Sequence, residues 1–162
     1  MKRILFFLAL LPLSAFADDL RVVASTSQCV GVFVSDSSSS TGAGLTGLAY
    51  NTASLTCYYY LPATAGTATT CGLASSTLGT YTSGAFKEIS SSNMPGWYEF
   101  CPPNAALASG AEAVFQLKGA TNMAPTNLRI VLLNAAPTVD GSGYVTAGDL
   151  GTTAIRKIPQ SR

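Results

Sequence analysis

Glu112-Ala113-Val114-Phe115-Gln116-Leu117-Lys118 places small or apolar side chains at 113, 115 and 117 and charged or amide ones at 112, 116 and 118. A period of two is how an extended strand keeps one face on a core and the other in water. After the Gly-, Asn- and Pro-containing stretch 119–126, Leu128, Ile130 and Leu132 repeat the pattern, which predicts an antiparallel hairpin. Working outward, strand signals fall at residues 21–24, 28–35, 54–61, 67–74, 86–89, 97–101, 111–118 and 127–133, separated by Gly, Ser, Asn and Pro clusters. Nowhere does an apolar 3.6-residue period persist over a helix-length window. The expectation is an all-β, antiparallel β-sandwich of seven to eight strands in an immunoglobulin-like layout, with a small barrel satisfying the same pattern. Residues 104–108 after Pro102-Pro103 suit one helical turn, and the Ser- and Gly-rich stretch 36–44 reads as a mobile surface loop.

The four cysteines, Cys29, Cys57, Cys71 and Cys101, include no closely spaced pair of the kind that presents two thiolates to a zinc ion or forms a redox centre. An even count in an exported chain favours disulfides. Leu55-Thr56-Cys57-Tyr58-Tyr59-Tyr60-Leu61 and Thr67-Ala68-Thr69-Thr70-Cys71-Gly72-Leu73 flank a turn-like Pro62-Ala63-Thr64-Ala65-Gly66. A turn centred on Thr64 sets Tyr59 opposite Thr69 and Cys57 opposite Cys71, which predicts that bridge and leaves Cys29 to pair with Cys101. Because Val30, Val32 and Val34 alternate away from Cys29, and Tyr98 and Phe100 away from Cys101, both of these sulfurs are expected on outward faces.

Lys2 and Arg3 ahead of an apolar run at 4–13, followed by Ala15-Phe16-Ala17, read as a signal peptide spanning 1–17. The run is about half the roughly 20 residues that a membrane-spanning helix needs. The expected product is therefore exported to the periplasm, the extracellular space or a virion surface, with no membrane segment after cleavage. About 145 residues remain, one domain at 18–134 and a turn-rich tail at 135–162. Once Lys2 and Arg3 leave, the nine basic and eight acidic residues become seven and eight. Charge is sparse, 10% of the chain against about 25% in ordinary globular proteins. The only adjacent basic pair left, Arg156-Lys157, is no phosphate-tracking surface, so nucleic acid is not an expected partner.

With no histidine in the chain, Ser-His-Asp and Cys-His machinery is closed to it. The carboxylates Glu88, Glu99 and Glu112 could supply a glycosidase pair, but each sits where an outward, solvated strand position explains it. Residues 138–149 imitate a calcium loop without its leading Asp or its closing bidentate Glu. No enzyme activity, cofactor or metal is expected. In an alternating strand Tyr58 and Tyr60 point opposite to Tyr59, so a core Tyr59 exposes the other two. Together with Trp97 they are candidates for an aromatic platform contacting a glycan or a protein, against the plainer role of cross-strand packing.

Gly42-Ala43-Gly44-Leu45-Thr46-Gly47-Leu48, Phe86-Lys87-Glu88, Asn93-Met94-Pro95-Gly96-Trp97-Tyr98-Glu99, Pro103-Asn104-Ala105-Ala106-Leu107-Ala108-Ser109-Gly110 and Leu117-Lys118-Gly119-Ala120-Thr121-Asn122-Met123-Ala124-Pro125 occur in this order. Across residues 28–133 the chain resembles a β-sandwich domain of tailed-bacteriophage virion proteins of the tail, baseplate or fibre type. The resemblance implies a non-catalytic structural or attachment module that works through contacts with other protein subunits, in a homo-oligomer, filament or virion. A secreted carbohydrate- or protein-binding domain using exposed aromatics is the alternative expectation.

Overall fold

A computed structural model describes residues 20–62 and 66–133, with the strand backbones at 138–139 and 145–146. The expected leader and the remainder of the tail, with all of the calcium-like loop but those two strand backbones, lie outside the described residues. Eight strands appear in chain order: β1 (Leu20–Val23), β2 (Val30–Phe33), β3 (Thr56–Tyr60), β4 (Thr69–Thr70), β5 (Phe86–Ser90), β6 (Met94–Phe100), β7 (Glu112–Lys118) and β8 (Thr126–Leu133). Among the described residues the one helical turn, α1 (Asn104–Leu107), lies between β6 and β7. Farther on, β9 (Thr138–Val139) and β10 (Val145–Thr146) pair antiparallel on their own.

One sheet has the order β1-β8-β7-β3-β4 and the other β2-β6-β5. Lettered from A′ to G in chain order, these are A′GFCC′ and BED, the immunoglobulin-like layout. One pairing departs from an all-antiparallel sandwich, since β1 runs parallel to β8, with Leu20 beside Ile130 and Val23 beside Leu133. No hairpin constrains two strands that distant in sequence, so edge packing alone sets their direction.

Period-two burial builds the core. Ala113, Phe115 and Leu117 on β7 and Ile130 and Leu132 on β8 face inward from the larger sheet. Val32, Tyr98, Phe100 and Phe86 answer them from the smaller one. Phe86 stacks on Tyr98 at 4.7 Å between ring centroids, and Phe100 meets Phe115 edge to face at 5.7 Å, joining the two layers. Edge-to-face and offset arrangements suit the aromatic quadrupole and add about 0.5–1.5 kcal/mol beyond area burial.

Both disulfides form as the sequence predicts. Cys57 and Cys71, with Cα atoms 5.2 Å apart, follow directly from a register that sets Tyr59 beside Thr69. Cys29 and Cys101, 4.0 Å apart at Cα, lie one step beyond the Val30–Phe100 pair. Each bridge therefore ties neighbouring strands within one sheet. The expected outward face of Cys101 is wrong, because this residue is fully buried. β6 ends at Phe100, and alternation stops with the ladder. Cys101 turns inward where its backbone N–H donates to Ala85 and its carbonyl accepts from Gly84.

Two loops also differ from expectation. Only Thr69–Thr70 form the fourth strand, shorter than 67–74, and Ala74 bridges in parallel to Ala85 instead. The 36–44 stretch closes on itself, with Asp36 N–H bonded to Ala43 and Ser35 bridged to Gly44.

Candidate binding surface

The five-stranded sheet turns Tyr58 and Tyr60 outward on β3, as the alternation requires. Tyr60 is 40% exposed and Tyr58 half-buried, while Tyr59 lies against the core with its ring 6.0 Å from that of Phe115. The β3–β7 register puts Tyr58 beside Gln116 and Tyr60 beside Val114, and the β7–β8 register carries the row on from Gln116 to Asn127. Together with Lys118 these side chains line a shallow groove of about 390 Å³. Within it, Gln116 Nε2 donates to Asn127 Oδ1 at 3.0 Å, and the Lys118 ammonium stands 5.8 Å from the Tyr58 ring centroid. Tyr58 is half-buried in its mid-sheet place, between Gln116 on β7 and Thr70 on β4.

Trp97 does not join this surface. It belongs to the other sheet, where its ring lies 5.6 Å from Phe33 on the paired position of β2. Both rings point away from the core and are close to 40% exposed, as is Met94 at the start of β6. Gly31 leaves room beneath the indole, since a Cβ there would sit 3.4 Å from a ring carbon. The single platform expected from Tyr58, Tyr60 and Trp97 thus resolves into two patches on opposite outer faces. The sequence could not separate them, because sheet assignment depends on pairings between distant segments.

The carboxylates are dispersed and engaged. Glu112 and Arg129 form a two-pronged ion pair, with Nε donating at 2.7 Å and Nη2 also in contact. Glu99 accepts the Gly79 N–H through both oxygens, at 3.0 and 3.1 Å. Glu88 accepts the Gly47 N–H, 3.2 Å from either oxygen. An outward position fails for Glu88, whose cross-strand neighbour is the buried Tyr98, so the carboxylate lies on the inward side of an edge strand and pins the 45–48 loop. In the smaller sheet Glu99 pairs with Lys87, on the face opposite Glu88, and Glu112 belongs to the other sheet. These positions do not assemble an acid and a nucleophile across one bond.

Two groups have displaced ionisation. Burial pushes the Tyr98 phenol up from 10.0; the N–H donated by Leu48 works against this and the nearby Glu88 charge adds to it. Its hydroxyl donates to the Leu45 carbonyl at 2.8 Å, which makes it a structural strut beneath the loop. Asp36 is held below 3.8 by the hydroxyl and then the backbone N–H of Ser38, both donating to the same oxygen. Neither group opens onto the Tyr58 groove.

Cys29 Sγ, Cys101 Sγ and a Glu99 carboxylate oxygen lie within 4.8 Å of one another. With both sulfurs joined to each other, neither is the thiolate a metal would need. Among the described residues no helix is long and apolar enough to cross a membrane. Two bridges and no free cysteine suit an oxidising compartment.

Gln116, Lys118 and Asn127 were not among the aromatic candidates read from the sequence. Alternation already set Gln116 and Lys118 on the solvent face of their strand, but only the β3–β7 pairing brings that face beside Tyr58. No family model, curated protein or solved structure matches this chain.

Proposed function

We propose that this chain is a non-catalytic structural or attachment module of a virion or extracellular assembly, exported and joined to other protein subunits through the outer face of its three-stranded sheet. The supporting observation is the exposed Phe33–Trp97 pair. Complete burial of such side chains is worth about 1.5–3 kcal/mol each, so a face that keeps two of them in water has energy to gain from a partner. Aromatics and Met are the residues enriched at the centres of protein interfaces, and Met94 is exposed on the same strand. The engagement of Glu88, Glu99 and Glu112 in loop and strand contacts favours a scaffold over a reactive centre. Likeness to tailed-phage β-sandwich domains points the same way. A leader and disulfides suit a phage-derived domain exported by a bacterium, or a virus assembling at or beyond the membrane.

Light scattering coupled to size exclusion, with electron microscopy, tests the reading on the oxidised chain. The expected result is an oligomer or filament that the double substitution Phe33→Ser plus Trp97→Ser reduces to monomers while the fold survives. A wild-type chain that stays monomeric, or assemblies indifferent to both substitutions, would refute it.

A further inference from the structure

The groove on the opposite outer face is built differently, and its chemistry names a ligand. Phe33 and Trp97 offer ring surface beside glycine; the Tyr58 row offers ring surface beside two carboxamides and an ammonium group. Because Gln116 and Asn127 share one hydrogen bond, the pair keeps one whole amide NH2 group and one whole carbonyl oxygen for a ligand, besides the second N–H of the donating amide. That holds whichever way the two amides are turned, since reversing both exchanges donor and acceptor. Adjacent donor and acceptor match two neighbouring hydroxyl groups, each of which both gives and takes a hydrogen bond. On the β3 side of this polar pair, Tyr58 beside Gln116 and Tyr60 beside Val114 add rigid amphipathic area suited to the C–H face of a pyranose ring.

Charge narrows the class further. Lys118 lines the groove, and among the described residues no carboxylate does. The acid on this outer face of β7, Glu112, is held by Arg129. At about 390 Å³ the groove falls toward the small end of the roughly 300–1,000 Å³ typical of ligand sites, and it is open on one side, a shape for a terminal sugar. We infer that the Tyr58–Gln116–Asn127 row with Lys118 is a recognition site for an acidic pyranoside, a uronate or sialate at the end of a surface glycan, with its carboxylate on Lys118. This goes beyond the assembly reading, uses the other outer face and stands or falls independently of it.

The test is a ¹⁵N-edited NMR titration of the full oxidised chain with methyl β-glucuronide, methyl β-galacturonide and methyl α-sialoside, and with methyl β-glucoside as the uncharged control. At least one acidic sugar is expected to shift residues 58, 60, 116, 118 and 127, and to bind about three- to fivefold more tightly than the glucoside, the scale of one exposed charge contact. Lys118→Gln should erase the preference for acid, and Tyr58→Ala should abolish binding of both kinds. If Tyr58→Ala fails to fold, Tyr60→Ala replaces it, with a loss of at least about fivefold expected. Shifts confined to other residues, equal affinity for charged and neutral sugars, or no response to any of the three acids would overturn the assignment. None of these results bears on the Phe33–Trp97 assembly, which is scored by particle size.

Discussion

Gly44, in the connection after β2, and Gly96, near the start of β6, lie where the two backbones touch. A Cβ on Gly44 would fall 2.2 Å from the Pro95 carbonyl oxygen, and one on Gly96 2.4 Å from the Gly44 Cα. Gly96 also has φ of +82°, a region that charges side-chain-bearing residues about 1–2 kcal/mol. Gly47 has the same handedness, φ +81°, with open space around it. Comparison of the two therefore separates backbone strain from collision. Gly47→Ala should cost about 1 kcal/mol and Gly96→Ala at least about 3, read as the difference in denaturant midpoints. Equal costs would mean that the contact relaxes freely. In the fold Gly44 and Gly96 thus serve as packing points between backbones.

At the scale of elements, each disulfide ties two adjacent strands and closes a loop of very different length. The Cys57–Cys71 bridge spans 14 residues and Cys29–Cys101 spans 72. Constraint of the unfolded chain grows with the logarithm of loop length, giving about 3 kcal/mol for the first and about 4 for the second. Replacing each pair by serines should lower stability in that order in chemical denaturation, the first pair by the smaller amount. A reversed order would show that strand geometry outweighs loop entropy here. The predicted pairing of Cys57 with Cys71 depended on one local register, Tyr59 beside Thr69, which the hairpin preserves even though β4 is only two residues long. Alternation misled at Cys101 and Glu88, one beyond the last ladder residue and the other on an edge strand whose inward side is open to a loop. Period-two reasoning holds only while both a ladder and a covered face continue.

For the molecule as a whole, the two sheets are coupled by an aromatic seam. Phe100 comes from the smaller sheet and Phe115 from the larger, both fully buried and in edge-to-face contact. Phe100→Ala and Phe115→Ala should each cost about 3–5 kcal/mol, and the double variant should cost less than their sum by about 0.5–1.5 kcal/mol. A thermodynamic cycle from thermal or urea unfolding measures that coupling, and strict additivity would mean that the layers are held by other contacts. The same seam leaves the outer faces free of core duties. One turns the Phe33–Trp97 pair to solvent and the other the Tyr58 row.

Local chemistry was readable in the chain before any folding. Alternation at 112–118 and 128–132, the turn between them, the Tyr59–Thr69 register with its disulfide and the helical turn after Pro102-Pro103 all concern residues near each other in sequence, and short-range sterics govern them. The lack of histidine likewise removed catalytic routes without reference to shape. Contacts between distant segments were decided only in three dimensions: the parallel seating of β1 on β8, the β3–β7 pairing that brings Gln116 beside Tyr58, and the division of Tyr58 and Trp97 between two faces. A strand's pattern tells which side chains are buried together, whereas the choice of neighbouring strand is a free-energy comparison over the whole chain, and no single stretch of sequence contains it.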